Sequence, residues 1–264
     1  MTTTPDPGLD VDRLLALRPS TRRTDHAALD HLVDRISTHF NRNDGYIAFS
    51  GGKDSLAVLH LALRADRDIP VVFFDSGLEY PETLDYMRTV AEQWNLDLHR
   101  IAADPPLLDA LVDSGSWDHD SPAGPLPDLH DVLIGAPARK AHQLFGPGEL
   151  WGVRADESAG RRVLYARAQT VDGVISRADG TVAYGPIWNW STADVWSYIR
   201  RHDLPVNPIY GKLADLGVPE FQRRVSHILD ASHLDRGRLT WLQRGWPTLF
   251  EQLADALPRI RQMT

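Results

Sequence analysis

Cysteine is absent from all 264 residues. That removes disulfides, thiolate zinc sites, iron–sulfur clusters and thiol redox chemistry in one step. It is compatible with a reducing cytosol, and the expectation is a cytoplasmic protein. A basic excess is also absent. Lys and Arg number 28 against 36 Asp and Glu, for a net charge of −8. A protein that chiefly grips a nucleic-acid backbone carries the opposite balance, although one local basic pocket for a small anion is still allowed. No apolar run reaches eighteen residues, so no membrane-spanning helix is expected. The opening MTTTPDPGLD lacks the basic-then-apolar order of a secretory signal. There is no His-Glu-x-x-His pattern among the eleven histidines, and His119, between Asp118 and Asp120, sits in a loop without a helix to fix it. No Gly-x-Ser-x-Gly elbow marks a serine hydrolase. Internal repeats and strong linkers are missing too.

What is present is ordinary globular composition, 42% apolar and 24% charged. A chain this long buries a sizeable core without staples. The periodicity predicts one or two helices between Val11 and Asn41, broken near Pro19. A strand follows at Tyr46–Phe49, then a helix from Ser55 to about Ala65 and a strand over Ile69–Phe74. Pro81 starts a helix to about Trp94, and Leu96–Ile101 reads as a third strand. Alternating strands and helices imply a parallel, doubly wound α/β sheet with right-handed crossovers. Residues 113–130, rich in Pro, Gly, Asp and Ser, read as a long loop. Further on come a helix over Ala138–Leu144 and a fourth strand at Leu150–Val153. Val174–Arg177 and Thr181–Tyr184 form a hairpin. Ser191, with Asp194 three places on, caps a helix. The expected organisation is a helical segment 1–44, a nucleotide-binding α/β domain 45–211, and a C-terminal helical extension 212–264.

The chemistry concentrates at Ser50-Gly51-Gly52-Lys53-Asp54-Ser55, between a strand and a helix. Adjacent glycines let the backbone turn sharply and approach a ligand. The free amides then lie at a helix N-terminus, where the dipole favours phosphate oxygens. Ser50 and Ser55 add hydroxyl donors and Lys53 adds charge. Asp54 is wrong for direct anion contact and is expected to hold Mg²⁺. The spacing is not that of a Walker A loop. The plainer reading is a glycine turn that caps a helix and binds nothing. A chance match to Ser-Gly-Gly-x-Asp-Ser has odds of roughly 10⁻⁴ to 10⁻³ from residue usage, which favours the ligand-binding reading.

Three stretches carry a family resemblance: AFSGGKDSLAVLHLA, FFDSGLEYPET, and WGVRADESAGR followed by YGPIWNWSTADVWSYI, together spanning about Tyr46 to Tyr210. The chain resembles the PP-loop, adenine-nucleotide α-hydrolase-like superfamily, within its phosphoadenosine phosphosulfate (PAPS) reductase family. It is also similar to the sulfate adenylyltransferase small subunit and to DNA-phosphorothioation proteins. The second stretch ends a strand, so Phe74 is expected at the adenine and Asp75 at the nucleotide or its metal; the alternative is that Asp75 caps the following turn. The family usually has Asp-Thr-Gly here, and Ser76 departs from it. In the third stretch the resemblance places Gly152, Arg154, Ser158 and Arg161 near the nucleotide, with arginines suited to forked contacts on phosphate or sulfate. Asp156 or Glu157 is expected to orient them or to hold metal. Arg162 is a weaker candidate, and Lys140 matches a lysine found in relatives but reads equally as a surface residue. Pro186, Trp188 and Trp190 are expected in the core or as the floor of the site, and Asn207-Pro208-Ile209-Tyr210 as a structural turn.

The reductases need a cysteine to attack sulfur, and this chain has none. The reading is therefore an ATP-binding enzyme, with Mg²⁺ and no iron–sulfur cluster. It adenylylates a small-molecule acceptor and releases pyrophosphate, with Lys53, Asp54, Arg154 and Arg161 as the catalytic set. The alternatives are a non-catalytic module binding ATP, adenylyl sulfate or PAPS, and a component of a nucleic-acid modification system. The last would use Trp241 and Trp246 beside Arg236, Arg238 and Arg244 for base stacking. The competing reading packs those aromatics on the main domain or on a second copy in a homodimer.

Overall fold

The computed structural model describes residues 25–115, 117–118, 127–167, 170–225, 228 and 238–264. The early part of the expected N-terminal helical segment, His119 and Arg236 lie outside them, as does the side chain of Arg238. The sheet has seven strands in the order β3-β2-β1-β4-β7-β6-β5. They are β1 (Gly45–Ala48), β2 (Val71–Asp75), β3 (Leu98–Ala102), β4 (Gly148–Leu150), β5 (Thr170–Val171), β6 (Val174–Ser176) and β7 (Val182–Tyr184). Strands β3, β2, β1, β4 and β7 pair in parallel; β6 and β5 add antiparallel at one edge. The expected α/β doubly wound, mostly parallel architecture is therefore present.

The strand order explains where a ligand goes. The chain winds from β1 outward to β2 and β3, then returns to the other side of β1 to lay down β4. Crossovers on the two sides of β1 diverge, leaving a crevice beyond the strand ends at this switch point. The loop Ser50–Gly52 leaves β1 at that place.

Alternation along the strands divides the sheet between two cores. Ile47 and Phe49 of the first strand segment, with Val71 and Phe73, face helices α1 (His26–Arg42), α2 (Lys53–Ala65) and α7 (Thr192–Arg201). Tyr46 and Val72 face the other way, against Ala141 of α5 (Ala136–Phe145). Helices α3 (Pro81–Trp94), α4 (Leu107–Asp113), α6 (Ala159–Ala166) and α8 (Ile209–Asp215) complete the ordered crossovers, and α9 (Arg238–Gly245) and α10 (Pro247–Ala256) close the chain. Phe250, Leu253 and Ile260 from this last part join the same core as Leu56 and Leu59.

Local signals operate as the residue types demand. Asp25 caps α1 by accepting from Ala28 N at 2.8 Å. Ser191 and Asp194 form the reciprocal cap of α7. Asn95, left-handed at φ 51°, ends α3, so β3 starts two residues later than the apolar pattern suggests. The fourth strand is also displaced, ending at Leu150 rather than Val153, because Gly148 pairs with Gly45 at the start of β1. Trp151–Arg154 is thereby released from the ladder to reach the switch point. A π-helical turn at Asp131–Gly135 precedes α5.

Candidate functional site

The glycine loop is shaped by backbone needs. Gly51 has φ +73°, and a Cβ there would meet Met87 Sδ at 3.1 Å. Gly52 occupies the cap position of α2 without a side-chain cap. Among the described residues, no side chain takes the amides of Gly51, Gly52 or Asp54 at the positive end of the helix, and Gly152 packs against the Ser55 amide. Ser55 turns inward instead: its hydroxyl donates to Gly52 O at 3.0 Å and accepts from Ser50 N at 3.3 Å, with Ser50 Oγ 3.1 Å away. Ser55 thus knits the loop, and Ser50 remains on the cavity surface.

The neighbouring turn grips the loop from outside. Buried Asn207 donates to Thr83 Oγ1 at 3.1 Å and accepts from Ile209 N at 3.0 Å, with its amide 3.4 Å from Gly51 O. Tyr210 then reaches the loop itself, its hydroxyl accepting from Lys53 N at 3.0 Å. Reading this segment as purely structural missed that contact, which bridges residues 157 positions apart.

Lys53, Asp54 and Arg154 form one buried charge cluster. Asp54 Oδ2 is 2.6 Å from Lys53 Nζ and Oδ1 is 2.6 Å from Arg154 Nε. Arg154 also donates to Trp190 O at 3.0 Å, and its side chain is 3% exposed. Its backbone N–H donates to Glu157 Oε2 at 2.9 Å. Burial alone would raise the Asp54 pKa, but the charges of Lys53 and Arg154 outweigh it and hold the carboxyl below its usual range. The mirror effect acts on Lys53: burial opposes its charge, Asp54 wins, and its pKa rises. Within this trio two cations stand against one carboxylate, and Asp156 Oδ2 lies 3.8 Å from Arg154 Nη1.

Asp54, expected to hold Mg²⁺ through the phosphates, has both oxygens paired with cations in this structure, and it orients Lys53 and Arg154. No group of three or more His, Asp or Glu among the described residues is placed to hold a metal by itself.

The cavity encloses about 680 Å³ and is lined by Ser50, Gly52, Lys53, Asp54, Ser55, Phe74, Gly152, Arg154 and Arg161 of the expected set. Ala48, Val72, Phe74, Leu133 and Ile134 give it an apolar wall. Gly152 is there by close approach: a Cβ would sit 2.5 Å from Ser55 N. Arg161 is exposed at the cavity, and no described carboxylate pairs with it. Gly51 and Ser158 do not line the cavity; Ser158 caps α6 by accepting from Arg161 N at 3.2 Å. Asp75 is also elsewhere. Its carboxylate accepts from Gly77 N at 2.7 Å and pairs with Arg100, at 2% exposure. The Asp-Ser-Gly spacing is a turn cap, and the nucleotide role expected for Asp75 is corrected accordingly. Lys140 and Arg162 are exposed and do not line the cavity.

Several lining residues were not anticipated, among them three charged ones. Arg223 and Arg224 come from the segment after α8, and Glu149 comes from β4. An acid inside a buried parallel strand was the signal that could have flagged Glu149. The stacking role considered for Trp246 is overturned: its ring lies 4.3 Å from Tyr80, its indole donates to Glu82 at 2.9 Å, and it is buried. Trp241 is half-buried with the Arg244 guanidinium 5.6 Å from its ring.

Comparison with known proteins agrees with the loop and the fold. The model of the phosphoadenosine phosphosulfate reductase domain matches residues 45–217. A phosphoadenosine 5'-phosphosulfate reductase of Xylella fastidiosa is 30% identical over 176 residues, 62% of this chain. The match spans 66% of that relative, about two thirds of its length. An adenosine 5'-phosphosulfate reductase of Pseudomonas aeruginosa is 28% identical over 225 residues, covering 81% of this chain and 75% of the relative. Among solved structures, the phosphate complex of phosphoadenylyl-sulfate reductase from Candida auris superposes with a TM-score of 0.48 at 21% identity, over 75% of this chain and 94% of that one. The NH3-dependent NAD synthetase of Campylobacter jejuni gives 0.47 at 14% identity, over 89% and 93%.

Proposed function

Because the chain belongs to the phosphoadenosine phosphosulfate reductase domain family of the PP-loop superfamily, yet has no cysteine, we propose that it is an ATP-binding enzyme that adenylylates an acceptor and releases pyrophosphate. The observation that carries this reading is the cavity at the switch point, which joins open loop amides, the cations Lys53, Arg154 and Arg161, and an apolar wall. The base lies against Phe74 and its apolar neighbours. The β- and γ-phosphates take the Gly52 amide and the α2 N-terminus. Arg161 faces the α-phosphate. An acceptor oxygen attacks that phosphorus; its bond to phosphorus forms as the bond to the bridging oxygen breaks, and pyrophosphate carries away the electron pair. No proton-transfer residue is needed for a carboxylate acceptor. The protein contributes positioning and charge stabilisation. The relatives are named as phosphosulfate reductases, and a thiol-dependent reduction would have no nucleophile in this chain.

The test is a calorimetric panel of ATP, AMP, adenylyl sulfate and PAPS, followed by a pyrophosphate-release assay over a broad acceptor set. The expected result is preference for ATP and acceptor-dependent pyrophosphate. ATP affinity unchanged in the Arg154→Ala, Arg161→Ala double variant would remove this site. Tight ATP binding with no release over the whole panel would favour a non-catalytic module.

A further inference from the structure

Glu149 is the middle residue of β4, 4% exposed, and it lines the cavity. Its register partner on β1 is Tyr46. The loop that would take phosphates begins at Ser50, four positions further along that strand, roughly 13 Å away at the usual strand rise. By this register Glu149 belongs to the part of the lining set back from the loop, with Ala48 and Val72.

One of its oxygens is committed: Oε2 accepts from Arg177 Nη2 at 2.9 Å. No donor among the described residues takes Oε1, which keeps its acceptor capacity. The polar surroundings are also incomplete. His142 Nε2 lies 3.9 Å from Oε2, and both this nitrogen and Tyr46 Oη are buried without a hydrogen-bond partner. The His142 Nδ1 is already engaged with Gly146 O at 3.0 Å. Neither His142 nor Tyr46 lines the cavity, so the open acceptor facing it is that of Glu149. A carboxylate at that point accepts N–H groups and repels carbonyl oxygens and phosphates.

We infer that Glu149 reads the amino edge of a nucleobase and selects an amino-bearing purine over one that lacks the amino group. The inference rests on the proposed nucleotide site and adds its base specificity. Arg177 fixes the carboxylate and balances its charge, while Oε1 accepts from the exocyclic amine.

The experiment compares ATP with purine riboside triphosphate, which carries hydrogen in place of the amino group, by calorimetry on the full chain. Wild type is expected to bind ATP about tenfold or more tightly, the size of a hydrogen bond to a charged acceptor. Glu149→Leu brings the ratio to about one through loss of ATP affinity alone. Glu149→Gln retains an acceptor oxygen and the Arg177 contact, and keeps part of the preference. A Glu149 that only braces the fold changes both affinities together and leaves their ratio intact. Equal binding by wild type, or a ratio preserved in Glu149→Leu, overturns the inference. If Glu149→Leu does not fold, the wild-type ratio and Glu149→Gln decide. If wild type binds neither nucleotide, the nucleotide site itself fails and the inference with it; equal, tight binding of both removes the inference alone.

Discussion

Asp54→Asn separates an orienting carboxylate from a metal ligand. In the native cluster one carboxylate stands between two cations, with side-chain exposures of 14% for Lys53 and Asp54 and 3% for Arg154. Asparagine keeps an acceptor oxygen but removes the charge, leaving Lys53 and Arg154 to repel each other across a poorly solvated floor. Removing one partner of a buried ion pair costs about 3–5 kcal/mol. The partial exposure of Lys53 argues for about 3 kcal/mol, the lower end of that range. For a chain of this size each kcal/mol moves the midpoint by about 2 °C or more, so Tm should fall by about 6 °C or more. Pyrophosphate affinity should move the other way, rising about threefold as a like charge leaves the ligand's surroundings. Differential scanning fluorimetry and calorimetry with pyrophosphate, each with and without Mg²⁺, give both readings. An unchanged Tm together with loss of Mg²⁺-dependent pyrophosphate binding would refute the argument and return Asp54 to the metal.

Other parts of the molecule make separate predictions. Burial pulls the His39 pKa down to about 4, against about 6.5 unfolded, so the unfolded chain binds more protons between those values and stability falls as pH drops through them. The loss is on the order of 3 kcal/mol. His39→Phe should shrink the difference in urea midpoint between pH 7.5 and pH 5, with His60, also lowered to about 4, supplying the remainder; a pH curve identical to wild type would count against it. Gly152→Ala forces a Cβ to 2.5 Å from Ser55 N and 2.7 Å from the Asp54 carbonyl carbon, and a backbone cannot yield as a side-chain tip does. It should cost about 1–3 kcal/mol by overpacking and about tenfold or more in ATP affinity; a variant that melts and binds like wild type disproves the close approach. Tyr210→Phe frees the Lys53 amide at a cost of about 1 kcal/mol and should strengthen pyrophosphate binding severalfold, whereas weaker binding would show that the hydroxyl itself holds the anion.

What the sequence made legible was chiefly local. The α2 start at Ser50–Ser55 follows from adjacent glycines, α3 from Pro81, and α7 from the Ser191–Asp194 cap. The parallel sheet followed from alternating strands and helices. Asp75 was harder: its Asp-Ser-Gly spacing signalled a turn cap, but Arg100 meets it only because β3 lies beside β2. Tyr210 at Lys53 and Arg177 at Glu149 are pairings across 157 and 28 positions. Such contacts are set by how α8 and the hairpin pack, which no local pattern encodes. The pairing of Asp54 with Arg154 was hidden for the same reason, since Arg154 arrives from residues 100 positions away.

Glu82 of α3 accepts from Lys212 at 2.7 Å and from Trp246 at 2.9 Å, and Lys212 Nζ rides 4.2 Å from the centre of that indole ring. Lys212 lies two residues beyond the tyrosine that grips the phosphate loop. Trimming the chain at residue 211 would therefore strip the fastening from α3 and bare the Leu213 side of the core at the same time. A shortened form that loses ATP would be reporting a slackened Tyr210 hinge rather than a missing nucleotide contact in the tail.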